Sequence, residues 1–148
     1  MAYIDLKTGK ALSHHEDIHE EFIIPEHLNM VEIDEFIAPA IFLLNQKGYE
    51  TLYSCSGHMY PFLGYFYRCN DLGEEEKMES YETDCTQCYI VFKEMYEFPV
   101  ELPEGFHFDS DRKIAMIEKD HKSKPGTIER MTEIVETMQK LYYWAEKL

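Results

Sequence analysis

Three short strings in the 148-residue chain bring chemically capable side chains together. Ser54, Cys55, Ser56, Gly57 and His58 follow one another, joining two hydroxyls, a thiol and an imidazole around a glycine. Hydroxyls and loop amides in such a run can hold an anionic or purine group, and the imidazole can donate or accept a proton. Ser54, Ser56 and His58 are therefore the candidate catalytic residues, and Ser54, Cys55, Ser56, Gly57 and His58 together are a candidate ligand loop. Read as local structure alone, the run is a strand-to-loop turn in which serine and glycine serve the backbone. A nucleophilic Cys55 needs a lowered pKa, and a place at the end of a strand points instead to an inert thiol. No acidic residue adjoins His58 in sequence to orient it.

The second string is Cys85-Thr86-Gln87-Cys88, with C-x-x-C spacing, against the C-x-x-H spacing of Cys55 and His58. Two intervening residues let a tight turn aim both side chains at one ion, so Cys55, His58, Cys85 and Cys88 are a candidate tetrahedral zinc set. The competing reading is that Cys55 and Cys88 are buried strand thiols. A redox C-x-x-C fits less well, because Cys85 precedes a strand and not a helix whose dipole would lower its pKa. A third string, His15-Glu16-Asp17-Ile18-His19, has the H-E-x-x-H form of zinc-dependent proteases. Its neighbours Ser13, Glu20 and Glu21 are polar and Pro25 follows, so the segment reads as a solvated run without the buried face a rigid metal helix needs.

These residues need elements to position them. Ile37, Ile41 and Leu44 recur at helical spacing up to Gly48, a natural left-handed stop, which predicts a helix over residues 37–47. Asp34 is one candidate cap for it; a start with Pro39 in the first helical position is the other. Tyr49, Thr51, Tyr53 and Cys55 alternate with Glu50, Leu52 and Ser54, which predicts a strand delivering Cys55 to the loop, and the loop leaving the carboxyl end of a strand is a favoured ligand position. Further strands are expected over residues 3–6, 87–93, 105–108 and 113–118. The aromatic stretch 59–67 reads as a strand or a lid, and the acidic stretch 71–84 as a solvated excursion. Ile128, Met131, Val135, Met138, Tyr142 and Ala145 recur at steps of three and four, so residues 127–147 form a long amphipathic helix. Its wide apolar face suits packing on a sheet and leaves room for homodimerisation through the C-terminal helix.

Composition narrows the function classes. With 45% hydrophobic residues, 11 Tyr and 9 Phe, the chain is a folded globule and not a disordered segment. Twenty-nine acidic residues against 14 basic ones give a net charge of −15, which opposes an extended nucleic-acid surface and allows, as a further class, an acidic protein that binds a basic partner or mimics nucleic acid. No apolar run reaches bilayer-spanning length. Four cysteines without a leader-like N-terminus point to a reducing, cytoplasmic setting. The expected architecture is one globular α/β domain over residues 1–148, mixed α+β, with a small mixed sheet covered by the two helices.

The run from Leu43 to His58, with its helix, Gly48-Tyr49-Glu50-Thr51 and then Ser54-Cys55-Ser56-Gly57, resembles the signature of the third enzyme family of tRNA wybutosine synthesis. That family's S-C-S-G-R motif also follows a helix and a strand. The resemblance implies S-adenosylmethionine as cofactor and methylation of a modified guanosine as activity, and hence a loop that handles a nucleotide or its base. Ser54, Cys55, Ser56 and Gly57 match by position, whereas His58 stands where the family has arginine. The chain is also similar to small bacterial and phage proteins with an SGH motif after such a helix, for which the resemblance implies no activity.

Overall fold

The computed structural model describes residues 2–13, 30–60, 62–83, 86–111 and 114–148, with the backbone alone described for some strand residues. His15, Glu16, His19 and Cys85 lie outside the described residues.

The centre is a four-stranded antiparallel sheet of order β4-β7-β9-β8, formed by β4 (Thr51–Cys55), β7 (Gln87–Phe92), β9 (Met116–Asp120) and β8 (His107–Phe108). Alternation in β7 buries Cys88, Ile90 and Phe92 on one face, and Ile90 lies opposite the equally buried Ile117 of β9. Two helices cover this face: α1 (Ala38–Gln46) and α2 (Ile128–Lys147). Helix α1 contributes Ala38, Ala40, Ile41 and Leu44 to the core, and α2 contributes Ile134, Met138, Leu141, Trp144 and Ala145. Each such Ile or Leu, fully buried, stabilises the fold by about 1.5–3 kcal/mol before the entropy of ordering it is counted. No helix among the described residues is long and apolar enough to cross a membrane.

Two smaller sheets complete the set. Strands β1 (Ala2–Asp5), β2 (Ala11–Ser13) and β3 (Met30–Ile33) pair in the order β2-β1-β3, and β5 (Phe62–Cys69) pairs with β6 (Glu75–Thr83). The α+β class and the helix-covered sheet are as expected from the sequence. The pairings within the described strands are all antiparallel, a more specific arrangement than the mixed sheet anticipated. The acidic stretch departs further from expectation. Residues 75–83 form a strand where a solvated excursion was expected, because Asn70 Oδ1 accepts from the amides of Leu72 and Glu74, and Gly73 takes φ +76° to close a tight hairpin.

The helix and strand that flank the loop meet at a defined joint. Helix α1 starts with Pro39 in its first turn, where a missing N–H costs no hydrogen bond, and the cap residue Ile37 has no side-chain cap. Asp34 sets up the turn before it: its carbonyl accepts from Ala38 N at 3.0 Å, and its Oδ1 accepts from Phe36 N at 2.9 Å. At the other end Gly48 takes φ +91°, and Asn45 exchanges hydrogen bonds with Thr51, donating to its Oγ1 at 2.9 Å and accepting from its amide at 3.2 Å. That exchange delays the strand from Tyr49 to Thr51. A register shift between Thr51 and Tyr53 then sets Ser54 opposite Ile90 and Cys55 opposite Tyr89.

Candidate functional site

Past Cys55 the chain turns through Ser56, Gly57 and His58, and buried or half-buried polar side chains from three distant segments hold this turn from behind. Ser56 is buried, and Asp34 Oδ2 accepts from both its amide at 3.1 Å and its hydroxyl at 2.5 Å. The Ser56 carbonyl accepts from Nε2 of the buried His121, just beyond β9, at 2.7 Å. The His58 carbonyl accepts from Nη1 of Arg130, in the first turn of α2, at 2.8 Å. Arg130 is wholly buried, and its Nε and Nη2 both donate to the Ser123 carbonyl. A fourth tie runs from Gly126 N to the Met59 carbonyl at 2.7 Å.

The glycine is required twice over. Gly57 has φ +90°, a left-handed conformation that side chains resist, and a Cβ at this position would run into the His121 ring.

The tautomer of His121 follows from its partners. A carbonyl only accepts, so Nε2 carries the proton toward Ser56 and Nδ1 presents a lone pair. Nδ1 lies 3.4 Å from Glu133 Oε1, itself an acceptor, and is buried with no hydrogen-bond partner among the described residues. Burial holds the pKa of His121 below its ordinary value, against the opposing effects of the Ser56 carbonyl and the Glu133 carboxylate. For Glu133 burial acts to raise the pKa, but the amides of Lys122 and Ser123 bond the carboxylate and the net result is a lowered value.

The other side of the loop is accessible. Ser54 and Cys55 are half-buried and the His58 side chain is exposed. Cys55 Sγ lies 3.6 Å from His58 Nε2 and accepts from Gly57 N at 3.4 Å. Cys88 is completely buried beside them, its thiol pushed up to about 12 by burial and then by the proximity of Cys55. Among the described residues no group of three or more His, Cys, Asp or Glu side chains is arranged to hold a metal ion.

The structure thus brings Ser54, Cys55, Ser56, Gly57 and His58 into one loop, with Cys88 close behind. Within it Ser56 directs its hydroxyl at Asp34 and not toward the accessible side. Sequence reasoning missed Asp34, His121 and Arg130 as parts of this site. Asp34 was read only as a helix cap, and His121 has no motif around it. Arg130 had a legible signal: it stands four residues before Ile134, on the core-facing stripe of α2, where a charge requires a reason.

No family model matches the chain, and no curated protein or solved structure is significantly similar to it.

Proposed function

We propose that residues 54–58 form a preorganised site that binds and acts on a nucleotide-like small molecule. The observation that carries this reading is the three-sided support of the loop. The half-buried Asp34 and the buried His121 and Arg130 each fix a turn of three residues, while its outer side keeps Ser54, Cys55 and His58 within reach of a ligand. An ordinary surface turn needs no such support, whereas a binding loop gains from it because little ordering entropy is lost when the ligand arrives.

In this reading the Ser54 hydroxyl and the loop amides contact the ligand, His58 moves a proton, and Ser56 holds the loop through Asp34. The −15 net charge favours a small ligand over a length of nucleic acid. S-adenosylmethionine enters through the S-C-S-G resemblance, and His58 in place of arginine argues for a ligand or step different from that family's.

Thermal denaturation with S-adenosylmethionine and a panel of nucleosides and nucleotides tests the proposal, since a ligand that binds the folded state raises the melting temperature. At least one compound gives a rise that is lost in Ser54→Ala. No response from any compound in the panel refutes it.

A further inference from the structure

Lys119 stands on a face of its strand where an apolar residue is expected. In β9 the alternation that buries Ile117 under the helices puts Lys119 on the same side, and its register partner Cys88 is completely buried. The ammonium reaches across to α2 and donates to the hydroxyl of the buried Thr137 at 3.1 Å. Thr137 in turn lies on the core-facing stripe of α2, between the buried Ile134 and Met138. Sheet and helix both call for apolar side chains at this meeting point, and a half-buried cation there needs a counter-charge to offset its lost hydration.

The chain supplies none. The Thr137 hydroxyl is neutral, and among the described residues no carboxylate lies within ion-pair distance of Lys119 Nζ. Glu104 is taken by Lys140 at 2.9 Å, and Glu133 accepts from the amides of Lys122 and Ser123. The ammonium is also held in place: the stem of Lys119 lies along Gly105, which has φ +85° and where a Cβ would stand 2.8 Å from Lys119 Cε. Lys119 lines a cavity of about 440 Å³ between the end of β9, the segment before β8 and helix α2, large enough for a small molecule. A fixed, half-buried ammonium with only a neutral partner, beside such a cavity, is an anchor for an anionic group.

The rest of the lining decides what carries that group. Asp120 and Glu136 add exposed carboxylates, and Glu133 adds a half-buried one. A bare anion such as phosphate is repelled by these acids, and a bare cation by Lys119 and Lys122. A molecule with both charges satisfies both sets. We propose that this cleft binds a small zwitterion of the α-amino-acid type, its carboxylate on Lys119 and its ammonium toward Glu133 and Glu136. The two acids are i, i+3 neighbours on α2, so one ammonium can lie between them. The cleft shares no described lining residue with the loop at residues 54–58. The inference goes beyond the ligand reading of that loop and stands without it.

Thermal denaturation of the full chain with each of the common α-amino acids at neutral pH tests the site, since a ligand of the folded state raises the melting temperature. At least one should give a rise. Calorimetric titration of that compound should show binding that weakens by about tenfold or more in its N-acetyl form and in its amide, each of which lacks one of the two charges. Lys119→Met keeps the stem against Gly105 and removes the ammonium, so it should lose the response without lowering the ligand-free melting temperature. Glu136→Gln, an exposed substitution that spares the core, should weaken binding by about tenfold as well, and it carries the test if the Lys119 variant fails to fold. Ser54→Ala should leave the amino-acid response unchanged. No response to any amino acid, binding that persists in Lys119→Met, or an N-acetyl derivative or inorganic phosphate that binds as tightly as the amino acid overturns the proposal. A response lost in Ser54→Ala and kept in Lys119→Met would assign the ligand to the loop and sink the cleft.

Discussion

His121 Nε2 donates to the Ser56 carbonyl across 65 residues of sequence, and the same ring occupies the space that a side chain at position 57 would need. One imidazole therefore sets both the position of the loop and the identity of its glycine. Replacing Gly57 by alanine combines a strained positive φ with a collision against this ring. The two effects together should destabilise by roughly 2–4 kcal/mol. Gly48 provides the comparison, because it has a similar φ of +91° but open space around it, so Gly48→Ala should cost only about 1–2 kcal/mol. Denaturant melts of both variants check the difference, and equal losses would show that the His121 contact is not what restricts position 57.

The same imidazole should make stability depend on pH. Its folded pKa lies below the unfolded value of 6.5, so the unfolded chain takes up a proton that the folded chain resists. The contribution is complete above about pH 6.5 and is lost as the pH falls below it, toward the folded pKa. The charged groups that act on the ring are Glu133, Lys119 and Arg130, with only the carboxylate favouring protonation. Glu133 has a lowered pKa of its own and adds a second loss, which begins near its unfolded value of 4.5 and is completed as the pH falls through its folded pKa. Urea melts between about pH 7.5 and about pH 5.5 should show a decline in wild type that flattens in His121→Phe. A decline of the same size in the variant would assign it to other groups.

Much of the frame was legible because local rules decide it. The helix expected over residues 37–47 occupies 38–46, and the one expected over 127–147 occupies 128–147 with Thr127 as its cap, since apolar spacing, Gly48 and the Thr127 side chain each mark an end. The loop at residues 54–58 was legible as a cluster of chemistry at a strand end. Its supports were not, because Asp34, His121 and Arg130 reach it through tertiary packing that no spacing rule encodes. The acidic stretch was misread for a related reason: charge reports on solvent exposure, while pairing in β6 needs only backbone groups and a well-made turn at Asn70.

Arg130 should tolerate no conservative replacement. Its guanidinium serves the carbonyls of His58 and Ser123 at once from a fully buried position, a division of donors that a lysine ammonium at the same site reproduces poorly. Arg130→Lys should therefore cost about 1–3 kcal/mol, and Arg130→Ala more, because the carbonyls of His58 and Ser123 then lose the guanidinium that serves both. Hydrogen exchange checks where the loss falls. Amides of residues 56–60 should lose protection ahead of those in β7, whereas uniform loss would mean that Arg130 supports the whole core and not the loop in particular.

Removal of residues 127–148 tests how the site depends on the frame. Helix α2 supplies Ile134, Met138, Leu141, Trp144 and Ala145 to the core, and its first turn supplies Arg130 to the loop. Without it the buried face of β7 and the inner side of α1 lose a large part of their cover. The truncated chain should lose cooperative unfolding, since each buried Ile or Leu removed forfeits about 1.5–3 kcal/mol against a net stability of about 5–15 kcal/mol for a typical domain. Calorimetry of the truncated and full chains decides it: a transition as sharp in the truncated chain as in the full one would show that the sheet and α1 form a core without α2.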